Sequence, residues 1–199
     1  TVGTLGAFNT IGGILGTFLP TFVTIPAVGT AITFLIFSGV LLVLSLVYFI
    51  SKRSGKKLCA LALVLFLLCS VFGHSDRFAF WESDLVYEGE SIYNYLQVKE
   101  TDRRVILSTN VLFGVQSVRM KEPGLTGMYY DYALAAPFLA GVMQKDSLSD
   151  VLILGMGTGT FATQCRNYFP GVLNVEGVEI DRRITELAGS YFDLSEDIP

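Results

Sequence analysis

The chain has 199 residues, of which 51% are hydrophobic, and a mean hydropathy of +0.53. It is too apolar for an ordinary soluble protein, and this composition indicates a membrane protein. The net charge of −4 is unevenly divided. Residues 1–73 have four cationic and no acidic side chains, whereas residues 74–199 have 10 Lys and Arg against 18 Asp and Glu. An acidic soluble part disfavours nucleic acid as a partner, since binding to phosphate requires Lys and Arg.

Cysteine and histidine usage excludes further kinds of site. The three cysteines, Cys59, Cys69 and Cys165, have no spacing typical of disulfide frameworks or zinc sites. We expect them to be buried as small apolar side chains. His74 is the only histidine, so neither a histidine-based catalytic relay nor a multi-histidine metal site is available. The sequence therefore predicts no metal site.

Three apolar runs are predicted as transmembrane helices, at about residues 2–24, 27–50 and 58–73. About 20 apolar residues span the roughly 30 Å hydrocarbon core of a bilayer. The third run has 16 residues and lies just below that length. The cationic segment at 51–57 is expected on the cytoplasmic side. The predicted partner is a lipid bilayer, and the predicted location is the bacterial inner membrane.

After the apolar runs, residues 74–90 form an aromatic and acidic stretch that is predicted as a linker. Alternating apolar and polar residues then predict a small β domain at residues 91–128. Its expected strands lie at 93–100, 103–110 and 114–120. Residues 129–144 have apolar side chains at helical spacing and predict a helix that Pro137 kinks or ends early.

The last part of the chain alternates strand and helix. The expected order is strand 150–155, helix 160–169, strand 175–180 and helix 182–192. Such an order begins a doubly wound parallel sheet, so residues 129–199 are predicted as part of a Rossmann-like domain. The chain starts without Met inside an apolar run and stops soon after its second strand and helix. We therefore expect it to be a fragment of a longer protein.

The segment GMGTG joins the first of these strands to its helix. Its glycines, Gly155, Gly157 and Gly159, differ from the G-x-G-x-x-G pattern of dinucleotide sites, whose last glycine corresponds to Thr160 here. Glu179 ends the next strand, 20 residues after Gly159. A carboxylate at that place can accept hydrogen bonds from both hydroxyls of a ribose. Loop and carboxylate together predict an adenosine-type ligand.

Four motifs resemble, in their order, the spermidine synthases of the polyamine aminopropyltransferase family, over about residues 90–199. They are ESIYNYLQVKET, TGMYYDYALAAP, VLILGMGTGT and VEGVEIDRRITELAGSYF. With apolar runs ahead of it, the chain is similar to membrane-bound members. The resemblance implies a class I methyltransferase-like fold, decarboxylated S-adenosylmethionine as aminopropyl donor and an amine such as putrescine as acceptor. It leaves a homodimer open.

The resemblance also implies roles for individual residues. The implied donor-binding residues are Gly155, Gly157, Thr158, Gly159, Glu179, Asn94 and Gln116, and the implied substrate-binding residues are Tyr93, Tyr129, Tyr130 and Asp131. Thr158 departs from the family pattern, which has an Asp facing the donor's amino group. Asp181 is predicted as a helix N-cap instead of a ligand. The family's catalytic carboxylates would lie beyond Pro199, so we expect no catalysis by this chain alone.

Aminopropyl transfer is a displacement at the carbon next to a sulfonium, and the attacking amine must be neutral. Carboxylates and aromatic faces such as those of Tyr129, Tyr130 and Asp131 stabilise cationic reactants. Two alternatives stay open. Thr158 favours a methyltransferase that uses S-adenosylmethionine, and the glycine-rich apolar runs favour a non-catalytic transporter or sensor that binds a nucleoside or polyamine. The face of the soluble part stays open: it lies opposite the cationic segment if the third run spans the bilayer, and on the cytoplasmic side if that run only dips into the interface. A donor made in the cytosol favours the cytoplasmic face.

Overall fold

The structure is a computed structural model that describes residues 1–73, 79, 81–110, 114–141 and 148–194. The chain divides into two compact units, Thr1–Phe78 and Ala79–Pro199. The first unit is helical, and the second contains two sheets with helices. His74 and the end of the helix predicted at 129–144 lie outside the described residues.

The helices of the first unit are α1 (Val2–Leu19), α2 (Ile25–Ser51) and α3 (Lys56–Phe72). A π-helical turn at Pro20–Thr24 joins α1 to α2, and there the Ile25 N–H donates to the carbonyl of Pro20. Since Pro26 has no N–H to donate, the regular helical pattern cannot continue unchanged at this point. Gly29, with φ 80°, adds a non-helical residue inside α2.

Val2–Ser51 is a helical run that covers both predicted helices, 2–24 and 27–50, and a kink at Gly29 interrupts it. Among the described residues it is the one helix that is long and apolar enough, by length and composition, to cross a membrane. Its large apolar side chains, Phe8 and Leu41 among them, are mostly exposed. The third apolar run forms α3, which packs on α2 where a Cβ at Gly39 would lie 3.2 Å from Phe66 Cζ.

The second unit begins with an antiparallel sheet in the order β1-β2-β3-β4. Its strands are β1 (Leu85–Glu90), β2 (Tyr95–Glu100), β3 (Arg104–Ser108) and β4 (Val115–Met120). Two short helices follow, α4 (Tyr129–Ala133) and α5 (Ala136–Leu139). The chain then forms a parallel unit and a final helix, β5 (Ser149–Leu154), α6 (Thr160–Tyr168), β6 (Leu173–Val178) and α7 (Arg182–Tyr191).

The main core lies between the antiparallel sheet and α7. One face of β2 and β3 contributes Leu96, Val98, Val105 and Leu107, and the C-terminal helix region contributes Ile184, Leu187 and Phe192. The apolar residues of α7 recur three and four positions apart, so that they form one stripe. A second, smaller cluster of Ala162, Cys165 and Val175 packs α6 on the parallel strands. The main core is thus shared by the small sheet and α7.

Two observations differ from the sequence expectations, and a third agrees in part. Leu85–Glu90, which was predicted as part of a linker, is strand β1 and pairs with β2. The helix predicted at 129–144 breaks near Pro137, as expected, and gives α4 and α5, with Pro137 in the first turn of α5. Cys165 is buried as expected, but Cys59 is half-buried and Cys69 is exposed.

Replacing Leu107 by Ala is expected to lower the free energy of unfolding by about 2–5 kcal/mol, because the side chain is fully buried in the shared core. Leu125→Ala is the matched control: this leucine is 57% exposed, and the expected change is below about 0.5 kcal/mol. Urea unfolding in detergent, followed by the fluorescence of Trp81, the only tryptophan, measures both. Equal losses of stability in the two variants would contradict the placement of Leu107 in this core.

Candidate functional site

The glycine loop between β5 and α6 requires its glycines for conformational reasons. Gly155, Gly157 and Gly159 have φ values of 72°, 62° and 82°, in the left-handed region that side chains disfavour. Gly157 is also tightly packed, since a Cβ there would lie 2.6 Å from Ser117 Oγ. A Cβ at Gly155 would meet no atom within 4 Å. The loop therefore has one side packed against β4 and one side open.

Glu179 follows β6 directly and binds the loop. Its Oε2 accepts the N–H of Gly157 at 2.9 Å, and its Oε1 accepts the N–H of Asp181 at 2.9 Å. The half-buried side chain thus links the glycine loop to the start of α7. A carboxylate has about four acceptor positions, so two of them are left for a ligand such as a ribose diol.

Strand β4 supports the loop from its packed side. Ser117 Oγ accepts the N–H of Thr158 at 3.1 Å, and Thr160 Oγ1 accepts the N–H of Val118 at 2.9 Å. Thr158 is 2% exposed, and its hydroxyl has no partner among the described residues. The loop side chain that departs from the family pattern is therefore buried beneath the loop.

A cavity of about 60 Å³ lies behind the loop, between β4 and α6. It is lined by Val118, Arg119, Met120, Glu122, Pro123, Gly124, Thr126, Thr158, Thr160, Thr163, Gln164, Asn167 and Phe192. Glu179, Gly155 and the two tyrosines predicted at the acceptor side do not line it. This cavity is therefore separate from the open side of the loop.

The turn between β1 and β2 contains two of the predicted residues, Tyr93 and Asn94. Tyr93 is half exposed, whereas the Asn94 amide donates to Asp181 Oδ2 at 3.2 Å. Asp181 Oδ1 accepts the N–H of Arg183 at 3.1 Å, which confirms the predicted N-cap of α7. Through Asp181, Asn94 is therefore linked to Glu179 and to the start of α7.

Helix α4 contains the aromatic pair that was predicted to lie at the acceptor side. The rings of Tyr129 and Tyr130 are 4.0 Å apart between centroids. Tyr129 is exposed, and the buried Tyr130 donates its hydroxyl to the carbonyl of Gln116. Burial and the neighbouring Tyr129 hydroxyl raise the pKa of Tyr130. Tyr130 thus fastens α4 to β4, and the Gln116 side chain is exposed.

Asp131 is occupied by hydrogen bonds within the protein. Its carboxylate accepts from the backbone N–H and hydroxyl of Thr126, from the N–H of Gly127 and from the amide of Gln164, at 2.6–3.0 Å. Burial raises the pKa of this carboxyl, but these hydrogen bonds outweigh it and hold the pKa below 3.8. Asp131 fixes the start of α4 to the preceding loop and to α6.

The structure thus brings together the three glycines, Glu179 and, through Asp181, the β1–β2 turn. The Tyr130 hydroxyl binds the carbonyl of Gln116 in β4, next to Ser117, which binds the glycine loop. Sequence reasoning missed Ser117, Thr160 and Gln164 as supports of the site. For Ser117, the one available signal was its place in an alternating strand. Within the described residues, His, Cys, Asp and Glu side chains form no group that could hold a metal ion.

The architecture and a comparison with known proteins together identify the family. The architecture is an apolar helical segment followed by a small antiparallel sheet and α/β elements around a glycine loop. Protein-family models give no match. A "Probable polyamine aminopropyl transferase" of Bifidobacterium longum (strain NCC 2705) is 58% identical over 154 residues, or 77% of this chain. The chain belongs to the polyamine aminopropyl transferase family, which confirms the resemblance of its motifs. It spans 33% of that protein's length.

Gly157→Ala is expected to destabilise the protein more than Gly155→Ala. At both positions a side chain strains a left-handed backbone, which costs about 1–2 kcal/mol. At Gly157 the new Cβ would also meet Ser117 Oγ, so β4 or the loop must shift, at an additional cost of about 1 kcal/mol or more. Urea unfolding compares the two variants. The packing of the loop on β4 is contradicted if their stabilities are the same.

Asp131→Asn is expected to destabilise the protein at neutral pH, because an amide nitrogen would face the N–H of Gly127 or Thr126. The folded-state pKa of Asp131 lies below its ordinary value of 3.8. The carboxylate therefore stabilises the fold above that value, and its contribution is lost as the pH falls through the folded-state pKa. Thermal unfolding between pH 7 and pH 2 should show the difference from wild type shrinking only below about pH 4. If the difference in stability between Asp131→Asn and wild type stays constant down to pH 2, the stabilising role of the Asp131 carboxylate is contradicted.

Proposed function

We propose that the full-length protein is a membrane-anchored polyamine aminopropyltransferase and that this chain supplies its donor site. The transferred group would come from decarboxylated S-adenosylmethionine, and the acceptor would be an amine such as putrescine. The observation that carries the proposal is the geometry of Glu179. Its carboxylate is fixed by two backbone N–H groups next to the open side of a glycine loop.

The proposed donor position follows from the free space and the free acceptors. A Cβ at Gly155 would meet nothing within 4 Å, so a ligand can approach the backbone there. The N–H groups of Gly155 and Met156 both donate to the carbonyl of Val178, which directly precedes Glu179. The open side of the loop and the carboxylate are therefore adjacent. A ribose bound to Glu179 would direct the sulfonium side of the donor along the loop.

The proposed acceptor side uses the exposed aromatic rings. Tyr129 is 61% exposed and Tyr93 is 50% exposed. Aromatic faces attract ammonium groups and sulfonium cations. Because Asp131 is engaged by Thr126, Gly127 and Gln164, its proposed role is to hold α4 in place and not to bind the amine. The carboxylate base that takes a proton from the amine would lie outside this chain.

The finer fold assignment is also a proposal. Parallel sheets are usually covered on both faces, and Leu152, Leu154 and Val178 are exposed on one face of the β5–β6 pair. We expect this face to be covered in a complete Rossmann-like domain.

The exposed apolar side chains of Val2–Ser51, and the absence of acidic residues from 1–73, support anchoring in a bilayer. The cytoplasmic side is proposed for Ala79–Pro199.

One observation favours a second candidate, a methyltransferase that uses S-adenosylmethionine itself. The loop position 158 has a neutral Thr whose side chain is buried. The loop thus offers no carboxylate to pair with the amino group of a decarboxylated donor, and this weakens the discrimination between the two donors.

Calorimetric titration of the full-length protein in nanodiscs with both donors tests the proposal. We expect decarboxylated S-adenosylmethionine to bind at least about tenfold more tightly than S-adenosylmethionine, a difference of about 1.4 kcal/mol. Glu179→Ala should weaken binding by about tenfold or more, since it removes a charged hydrogen-bond acceptor. Glu176→Ala, which changes an exposed acidic residue of β6, the strand that precedes Glu179, is the matched control and should leave binding unchanged.

Preference for S-adenosylmethionine would assign the protein to the methyltransferases. Binding of neither donor would refute both enzymatic functions.

A further inference from the structure

Asp181 is almost fully buried, at 1% exposure, and its carboxylate contacts two segments of the chain, the β1–β2 turn and the start of α7. Its Oδ2 accepts the Ser91 hydroxyl at 2.5 Å and the Asn94 amide at 3.2 Å. Its Oδ1 accepts the N–H of Arg183 as the N-cap of α7. Ser91 and Asn94 belong to the β1–β2 turn, about 90 residues away in sequence. A cap of α7 alone would need neither of them.

The donors of the turn are directed at Asp181 by their other contacts. Ser91 Oγ already accepts the N–H groups of Tyr93 and Asn94, at 3.1 and 2.9 Å. Its own proton is therefore available for an acceptor, and Asp181 Oδ2 is the nearer one, since the Asn94 carbonyl lies at 3.3 Å. The turn is closed on itself by the N–H of Ser91, which donates to the Asn94 carbonyl at 2.8 Å. The turn contacts Asp181 through the Ser91 hydroxyl and the Asn94 amide.

The backbone of Asp181 extends this connection to the glycine loop. The N–H of Asp181 donates to Glu179 Oε1, while Glu179 Oε2 accepts from Gly157. The carboxylate of Asp181 therefore holds the β1–β2 turn, and its N–H orients Glu179. A shift of this residue would move both the carboxylate proposed to bind the ribose and the turn that presents Tyr93.

We propose that Asp181 is a positioning residue that couples the β1–β2 turn to Glu179 and the glycine loop, and so sets the geometry of the donor site. This inference rests on the proposed function, in which Glu179 binds the donor. Asp181 itself would touch neither donor nor acceptor. Its effect on affinity would pass through the orientation of Glu179.

Exchanging donor and acceptor between positions 181 and 94 separates a positioning role of Asp181 from a general effect on the stability of the fold. In Asp181→Asn the amide oxygen still accepts from Arg183, since Asn caps helices as well as Asp does. Its NH₂ group, however, would face the Asn94 amide and the Ser91 hydroxyl, which are also donors. In the double variant Asp181→Asn with Asn94→Asp, the new carboxylate at position 94 accepts from the new amide. The contact between the two side chains is then restored with donor and acceptor exchanged, and the Ser91 hydroxyl can turn to its other acceptor, the backbone carbonyl of residue 94.

The experiment uses the full-length protein in nanodiscs with decarboxylated S-adenosylmethionine as probe. We expect Asp181→Asn and Asn94→Asp each to weaken donor binding about tenfold, as for the loss of a charged hydrogen bond. The double variant should return to within about threefold of wild type. Asp150→Asn alters an exposed Asn–Asp pair, Asp150 with Asn174 at 2.9 Å, and should change nothing. If Asp181→Asn fails to fold, Asn94→Ala removes one donor from Asp181 and takes its place in the test.

Hydrogen–deuterium exchange of the ligand-free variants supplies a readout that does not depend on donor binding. Exchange in peptides that cover 155–159 should rise in Asp181→Asn and fall back in the double variant. If it does so while wild type binds no donor, the coupling is supported and the proposed function fails. If wild type binds donor through Glu179 but neither exchange nor affinity responds to Asp181→Asn, the positioning role is refuted and the proposed function stands.

Discussion

The two backbone hydrogen bonds accepted by Glu179 are the contacts on which the candidate site depends. They join the glycine loop after β5 to the start of α7 after β6, at 2.9 Å each. Buried N–H groups that lose an acceptor are costly, so the carboxylate stabilises both segments in one arrangement. It lies where two neighbouring parallel strands end, which is where α/β sheets commonly bind ligands. Fold and proposed donor binding therefore rest on the same side chain.

The antiparallel sheet is part of this arrangement. Its β4 holds the loop through Ser117 and Thr160, its β1–β2 turn holds α7 through Asp181, and its apolar face packs against Ile184 and Leu187. Tyr130 fastens α4 to the same strand. The position of the exposed aromatic rings relative to Glu179 thus follows from hydrogen bonds and core packing within Ala79–Pro199.

Much of the second unit could be predicted because its signals are local. The glycine loop, the strands and helices around it and the N-cap at Asp181 follow from short motifs. Strand β1 was missed because its sequence, LVYEGE, is acidic and does not alternate cleanly, so pairing with β2 decides its structure. The contacts of Asn94 and Thr158 could not be predicted, since their partners Asp181 and Ser117 lie 87 and 41 residues away. The carboxylate of Asp131 is chemically suited to bind an amine, but its acceptor positions are used by hydrogen bonds from Thr126 and Gly127.

A structure of the full-length protein with bound 5′-methylthioadenosine, the nucleoside product of the proposed transfer, tests the assignment most directly. The contacts described above predict both ribose hydroxyls within hydrogen-bond distance of the Glu179 carboxylate. They also predict that the Gly157 and Asp181 N–H groups still donate to it. A nucleoside bound in the cavity between β4 and α6, or anywhere that leaves Glu179 without contact, would contradict the assignment of this site.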